Sequence, residues 1–150
     1  MMINGVVISK RSQIIDERGK IMHMLRCDDP IYNKFGEIYF SCTFPGAIKA
    51  WHMHKKMTLN YAVISGKIKL VLYDDRKESK TYKNIQEIFL SIENYAVITV
   101  PPLIWNGFKA VGNEPSIVAN CSDIPHNPDE IVRKPFDSKE IPYTWELKNR

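Results

Sequence analysis

Long hydrophobic runs are missing from this sequence. Its most apolar stretches, such as residues 95–102, fall well short of the roughly 20 apolar residues that a membrane-spanning helix needs. The N-terminus carries no apolar signal core, so a soluble, unexported, cytoplasmic chain without a membrane partner is expected. Cysteine is scarce as well. Cys27, Cys42 and Cys121 form neither an even disulfide set nor a C-x-x-C pair, which excludes a disulfide scaffold and suits a reducing compartment. Nor is charge of one sign concentrated. The 21 Lys and Arg outweigh 17 Asp and Glu to leave +4, but they are dispersed, so an anionic small ligand is suited and nucleic acid is not expected. Sustained helical periodicity is also absent. Residues 28–34 and the tail from 128 to 150 have room for one helical turn each, and both contain proline and aromatic residues that oppose length.

What is present reads as β-structure. A chain of 150 residues with 44% hydrophobic content fits one domain with one core. Runs rich in β-branched and aromatic residues occupy positions 37–44, 59–65, 67–74, 87–90, 95–100 and 116–121. Turn-forming pairs separate them: Pro45-Gly46, Ser65-Gly66, Asp74-Asp75, Glu93-Asn94, Pro101-Pro102 and Gly112-Asn113. Shorter runs at 5–9 and 20–25 flank Asp16-Glu17-Arg18-Gly19, which predicts an N-terminal hairpin. The expectation is an all-β antiparallel double-sheet roll spanning 1–150 as a single domain. Residues 1–35 would supply N-terminal strands to a dimer, 36–124 the barrel, and 125–150 a short helical or irregular C-terminal segment.

Chemistry concentrates after Gly46. In Gly46-Ala47-Ile48-Lys49-Ala50-Trp51-His52-Met53-His54 two histidines lie two residues apart on a predicted strand, so both face the same side. The outline resembles the first cupin motif, which implies that the roll is a cupin-type jelly-roll barrel, and whose histidines commonly bind metal together with a Glu and a later His. Here the Glu position falls near Leu59 or Asn60, and Asn106 stands in the later histidine's place within 101–108. Two histidines and an amide fall short of the three or four strong ligands of zinc and iron sites, so no metal and no other cofactor is expected. His23 lies outside every motif.

Several separated segments then match, in order, the nucleotide-sugar epimerases typified by dTDP-4-dehydrorhamnose 3,5-epimerase. Asp16-Glu17-Arg18-Gly19 is similar to the family's D-x-R-G, and Gly46 to His52 resembles its G-V-x-R-G-L-H. The segment from Asp74 to Thr81 resembles D-x-R-x-x-S-P-T. Leu90-Ser91-Ile92-Glu93-Asn94 with Val100-Pro101-Pro102 resembles L-S-x-E-N and I-P-P-G, and Asp137 with Ile141 and Trp145 is similar to D-P followed by I-x-W.

The resemblance implies proton abstraction beside the ketone of a nucleotide-linked 4-keto-6-deoxyhexose, in deoxysugar or surface-polysaccharide biosynthesis, by a homodimer. It implies His52 as base, Asp137 orienting it, Lys49 in the arginine position, and Arg18 reaching a neighbouring subunit's nucleotide. A histidine near its ordinary pKa suits such a base. His54, Trp105 and Asn106 would line the substrate pocket. The family's acid, a tyrosine in Y-K-x-T-x-Y-Y-x-P, is not matched in residues 118–128. His126 occupies roughly its place, and Tyr39 or Tyr61 are alternatives from neighbouring strands. The lysine expected near Leu59 is also missing, with Lys55 and Lys56 just upstream. Arg76 and Ser79 read as turn-stabilising residues. The competing readings are a single-centre epimerase or ketoisomerase of the same fold, and a cupin that binds sugar or metal through His52 and His54.

Overall fold

A computed structural model describes residues 2–148; the outer ends of the expected 1–150 domain, residue 1 and residues 149–150, lie outside the described residues. Twelve strands occur among them: β1 (Val7–Lys10), β2 (Gln13–Asp16), β3 (Gly19–Met22), β4 (Glu37–Thr43), β5 (Ile48–His54), β6 (Leu59–Ser65), β7 (Lys67–Asp74), β8 (Ile85–Ser91), β9 (Ala96–Val100), β10 (Ile104–Ala110), β11 (Ser116–Ser122) and β12 (Ile131–Arg133). One antiparallel sheet runs β1-β9-β6-β11-β4 and a second runs β12-β5-β10-β7-β8, while β2 and β3 form a separate hairpin. This is the double-sheet roll expected of the all-β cupin class.

Alternation explains which side chains meet between the sheets. Leu59, Tyr61 and Val63 of β6 join Ile68, Leu70 and Leu72 of β7 in the main core, each fully buried aliphatic contributing roughly 1.5–3 kcal/mol. β6 and β7 are nonetheless apolar on both faces. Outside β6, Met22, Met24 and Ile31 cover Ala62, Tyr95 and Val97. Outside β7, Ile141 and Trp145 of the C-terminal segment cover Val71 and Tyr73. Continuous apolar runs therefore mark strands buried twice.

Four local expectations need correction. The hairpin turns at Asp16–Gly19 as expected, but its first arm is β2; the 5–9 run instead supplies β1, which pairs with β9. Residues 101–108, where no strand run is expected, contain most of β10, which spans the middle of the second sheet. Its Gly107 is needed for close approach: a Cβ there would lie 2.3 Å from Ala50 Cβ. Residues 28–34 form turns without a helix. The tail gives a 3-10 turn at Pro128–Glu130, with Asn127 accepting a hydrogen bond from Asp129 N, followed by β12, which pairs with β5.

Candidate active site

Beside Gly107 the ladder between β5 and β10 shifts register. Asn106 pairs with His52 and Phe108 with Lys49, so β5 spends three residues where β10 spends two. The extra residue resets the alternation. Lys49 and His52, an odd number apart, thereby both turn toward the sheet that holds β4, Lys49 at its exposed end and His52 inside, and His54 follows His52 by the ordinary period of two.

The interior opens into a cavity of about 360 Å³ lined by Glu37 and Tyr39 from β4, His52 and His54 from β5, Met57, His126, and Ile131 and Arg133 from β12. Tyr39 and His52 therefore face one space from opposite sheets. Behind His52, the buried Tyr61 hydroxyl lies 3.5 Å from Nε2 and donates to Asn106 Oδ1 at 3.0 Å. Asn106 Nδ2 donates to the His52 carbonyl at 3.0 Å. The amide thus ties strand and phenol together. Tyr39 is held differently. Its oxygen accepts from Asn120 Nδ2 at 3.0 Å, which leaves its own proton available to the cavity.

The electrostatics divide these groups by protonation state. His52 is enclosed on most sides, and burial, with smaller contributions from His54 and Arg133, pushes its pKa down to about 4; at neutral pH it is an unprotonated imidazole. Burial pushes Tyr61 well above the ordinary phenol range and raises Tyr39 more modestly. Both tyrosines keep their protons. Burial alone would raise Glu130, but hydrogen bonds from Lys56 N, His54 and Met57 N prevail and keep it ionised. Its oxygens sit 2.6 Å from His54 Nδ1, 2.6 Å from Lys56 N and 2.9 Å from Met57 N. This buried carboxylate accepts from His54 Nδ1 and so fixes the orientation of the ring, with Nε2 turned to the cavity side.

The structure brings His52, His54, Asn106 and His126 to the site, His126 as an exposed rim residue. It does not bring the others. Asp137 sits in an exposed turn and is not among the described hydrogen-bond partners of His52; the carboxylate–imidazole pair is Glu130 with His54. Trp105 points from β10 to the opposite face, in the cluster with Trp51 and Trp145, where Lys134 Nζ lies 4.7 Å from its ring centroid. Lys49 donates to Ser41 Oγ and the Cys42 carbonyl and does not line the cavity. Arg18 occupies the exposed hairpin turn, paired with Asp16 at 2.6 Å. Arg76 and Ser79 bond Asp74, as their turn-stabilising reading requires. No group of three or more His, Cys, Asp or Glu side chains arranged for a metal occurs among the described residues.

Glu37, Glu130 and Arg133 were not legible as site residues. Glu130 and Arg133 lie in the tail whose pairing with β5 no local pattern announces. The one signal is Asn127-Pro128, a cap and first-turn proline, which starts the turn that delivers Glu130 to His54.

A family model described as dTDP-4-dehydrorhamnose 3,5-epimerase matches residues 1–149. A dTDP sugar isomerase structure from Desulfovibrio desulfuricans superposes with a TM-score of 0.93 at 44% identity, covering 95% of this chain and 92% of that one. A probable low-salt glycan biosynthesis epimerase of Haloferax volcanii is 36% identical over 135 residues, 87% of this chain and 86% of the relative. The spore coat polysaccharide biosynthesis protein SpsL of Bacillus subtilis is 29% identical over 151 residues, covering 99% of this chain and all of the relative.

Proposed function

The chain belongs to the dTDP-4-dehydrorhamnose 3,5-epimerase family, and we propose that it epimerises a nucleotide-linked 4-keto-6-deoxyhexose with His52 as base and Tyr39 as acid. As a family member it is an isomerase, a nucleotide-sugar epimerase of deoxysugar biosynthesis. The observation that carries the assignment of roles is the facing pair: an unprotonated imidazole on β5 and a protonated phenol on β4, on opposite sides of one cavity. Inversion needs that arrangement. His52 removes the proton from the carbon beside the ketone, the electron pair moves into an enolate, and Tyr39 returns a proton to the other face. Arg133, without an ion-pair partner among the described residues, supplies positive charge in the cavity where the family's lysine is missing. Asn106 and Tyr61 position His52 from behind. His54 with Glu130 forms a rigid polar wall whose Nε2 meets a substrate hydroxyl.

A wider depression of about 710 Å³ shares His126 with the cavity and is lined also by Lys55 and Lys56, which suits the nucleotide's phosphates. The protein acts as a homodimer in this reading, with Arg18 serving the neighbouring site. Free thiols at Cys27, Cys42 and Cys121 fit a cytoplasmic location.

The test is proton NMR of a dTDP-4-keto-6-deoxyglucose incubated in deuterated water. Wild type is expected to exchange and invert a flanking centre; exchange at one position alone identifies a single-centre enzyme. His52→Ala should abolish exchange, and retained exchange would overturn its role. Tyr39→Phe should keep exchange while losing inversion by about 100-fold, within the usual range for a positioned acid. Undiminished inversion in Tyr39→Phe, with loss in His126→Ala, would move the acid to His126.

A further inference from the structure

Away from the barrel interior, the outer face of the second sheet holds a cavity of about 260 Å³ between β7, β8, β10 and the C-terminal segment. Lys69 enters it from β7. That residue is 8% exposed, and its ammonium has no hydrogen-bond or ion-pair partner among the described residues. It rests instead 5.4 Å from the Tyr143 ring centroid and 5.9 Å from that of Trp145. Two further ammonium groups converge there. Lys109 donates only to the Trp145 carbonyl at 3.2 Å, and Lys148 is 2.7 Å from Glu87. Phe89 and Trp145 supply an aromatic wall.

An ammonium that no protein acceptor engages, held among rings at the wall of a cavity, is a ready partner for an anion that enters it. The Glu87 carboxylate does not reach it, being taken by Lys148 and the Tyr143 hydroxyl. We propose that this cavity is a second binding site, separate from the His52 site, for a compact organic anion: a phosphate or carboxylate held by Lys69 and Lys109, joined to a flat or apolar group laid against Phe89 and Trp145. The cavity lies just below the lower end of the usual small-molecule range of roughly 300–1,000 Å³, so one charged group with one ring fills it. No residue of this site belongs to the proposed catalytic set, and the inference stands independently of the epimerase reading.

The probe is phenyl phosphate, titrated while lysine ε-methylene and aromatic resonances are followed by NMR. Saturable binding should perturb Lys69, Lys109 and Trp145 together. Lys69→Met should weaken it by about tenfold or more, as loss of a charge-assisted hydrogen bond predicts, and His52→Ala should leave it unchanged. If Lys69→Met fails to fold, Lys109→Gln gives the same reading. Absence of saturable binding, binding indifferent to both lysine variants, or binding lost in His52→Ala overturns the proposal. Equal affinity for inorganic phosphate would remove the aromatic half of it.

Discussion

In the proposed mechanism His52 is the base, and the fold keeps it discharged at neutral pH. Its pKa falls to about 4, mainly through burial and further through His54 and Arg133, so the imidazole is unprotonated throughout the neutral range. Two consequences follow at this residue. The acid limb of kcat/KM, which reports the free enzyme, should fall near pH 4 and not near the ordinary histidine value of about 6.5. Removing the nearby cation by Arg133→Met should move that limb upward, and a pH-rate profile unmoved by the substitution would refute the electrostatic account. Stability must follow as well. Between about pH 6.5 and 4 the unfolded chain binds a proton at this histidine that the folded chain refuses. Stability should therefore drop as pH falls through that window, by up to about 3 kcal/mol, and level off below it. His52→Gln should flatten the drop in urea titrations at successive pH values.

At the scale of the element, the loop after β7 shows what a motif can conceal. Asp74 is fully buried and accepts from Arg76 Nε at 2.8 Å, Ser79 Oγ at 2.6 Å and Thr81 Oγ1 at 2.7 Å. Burial would raise its pKa, but these bonds outweigh it and hold the carboxyl far below the ordinary range. The D-x-R-x-x-S-x-T pattern is thus a clasp that folds the loop back on β7. Asp74→Ala should cost about 3 kcal/mol or more, since it leaves buried donors and a cation unpaired, with the loss read from the urea midpoint and little change in kcat. Strands and motifs of this local kind were legible in the sequence: β6 and β7 coincide with their hydrophobic runs because both faces are covered. β10 was hidden because Pro101-Pro102 and Gly107 look like turn residues, whereas the glycine serves the approach of Ala50. The site was half legible for the same reason. His52 and His54 follow from spacing and Asn106 from its place in the cupin outline, but Glu130 and Arg133 depend on β12 pairing across more than 70 residues of chain with β5, which no periodicity encodes.

Over the whole molecule, the uneven distribution of exposed apolar side chains bears on assembly. β4 is an edge strand, and Ile38, Phe40 and Phe44 on and beside it are 49%, 62% and 72% exposed. The hairpin adds Ile14, Ile15 and Ile21, with Arg18 at its turn. An uncovered edge with apolar side chains templates pairing with another chain, and a second copy of this chain satisfies both features at once: it covers the edge and lets a hairpin carry Arg18 toward a neighbouring cavity. Wild type should sediment as a dimer. Phe40→Glu should shift it toward monomer while preserving the β-sheet circular dichroism signal, because the side chain is exposed within the subunit. Arg18→Gln should keep the dimer and raise KM for the nucleotide sugar without lowering kcat, as loss of a uniform phosphate contact does. A monomeric wild type with full activity would sink this assembly and the role of Arg18 with it, leaving Lys55 and Lys56 as the phosphate contacts within one subunit.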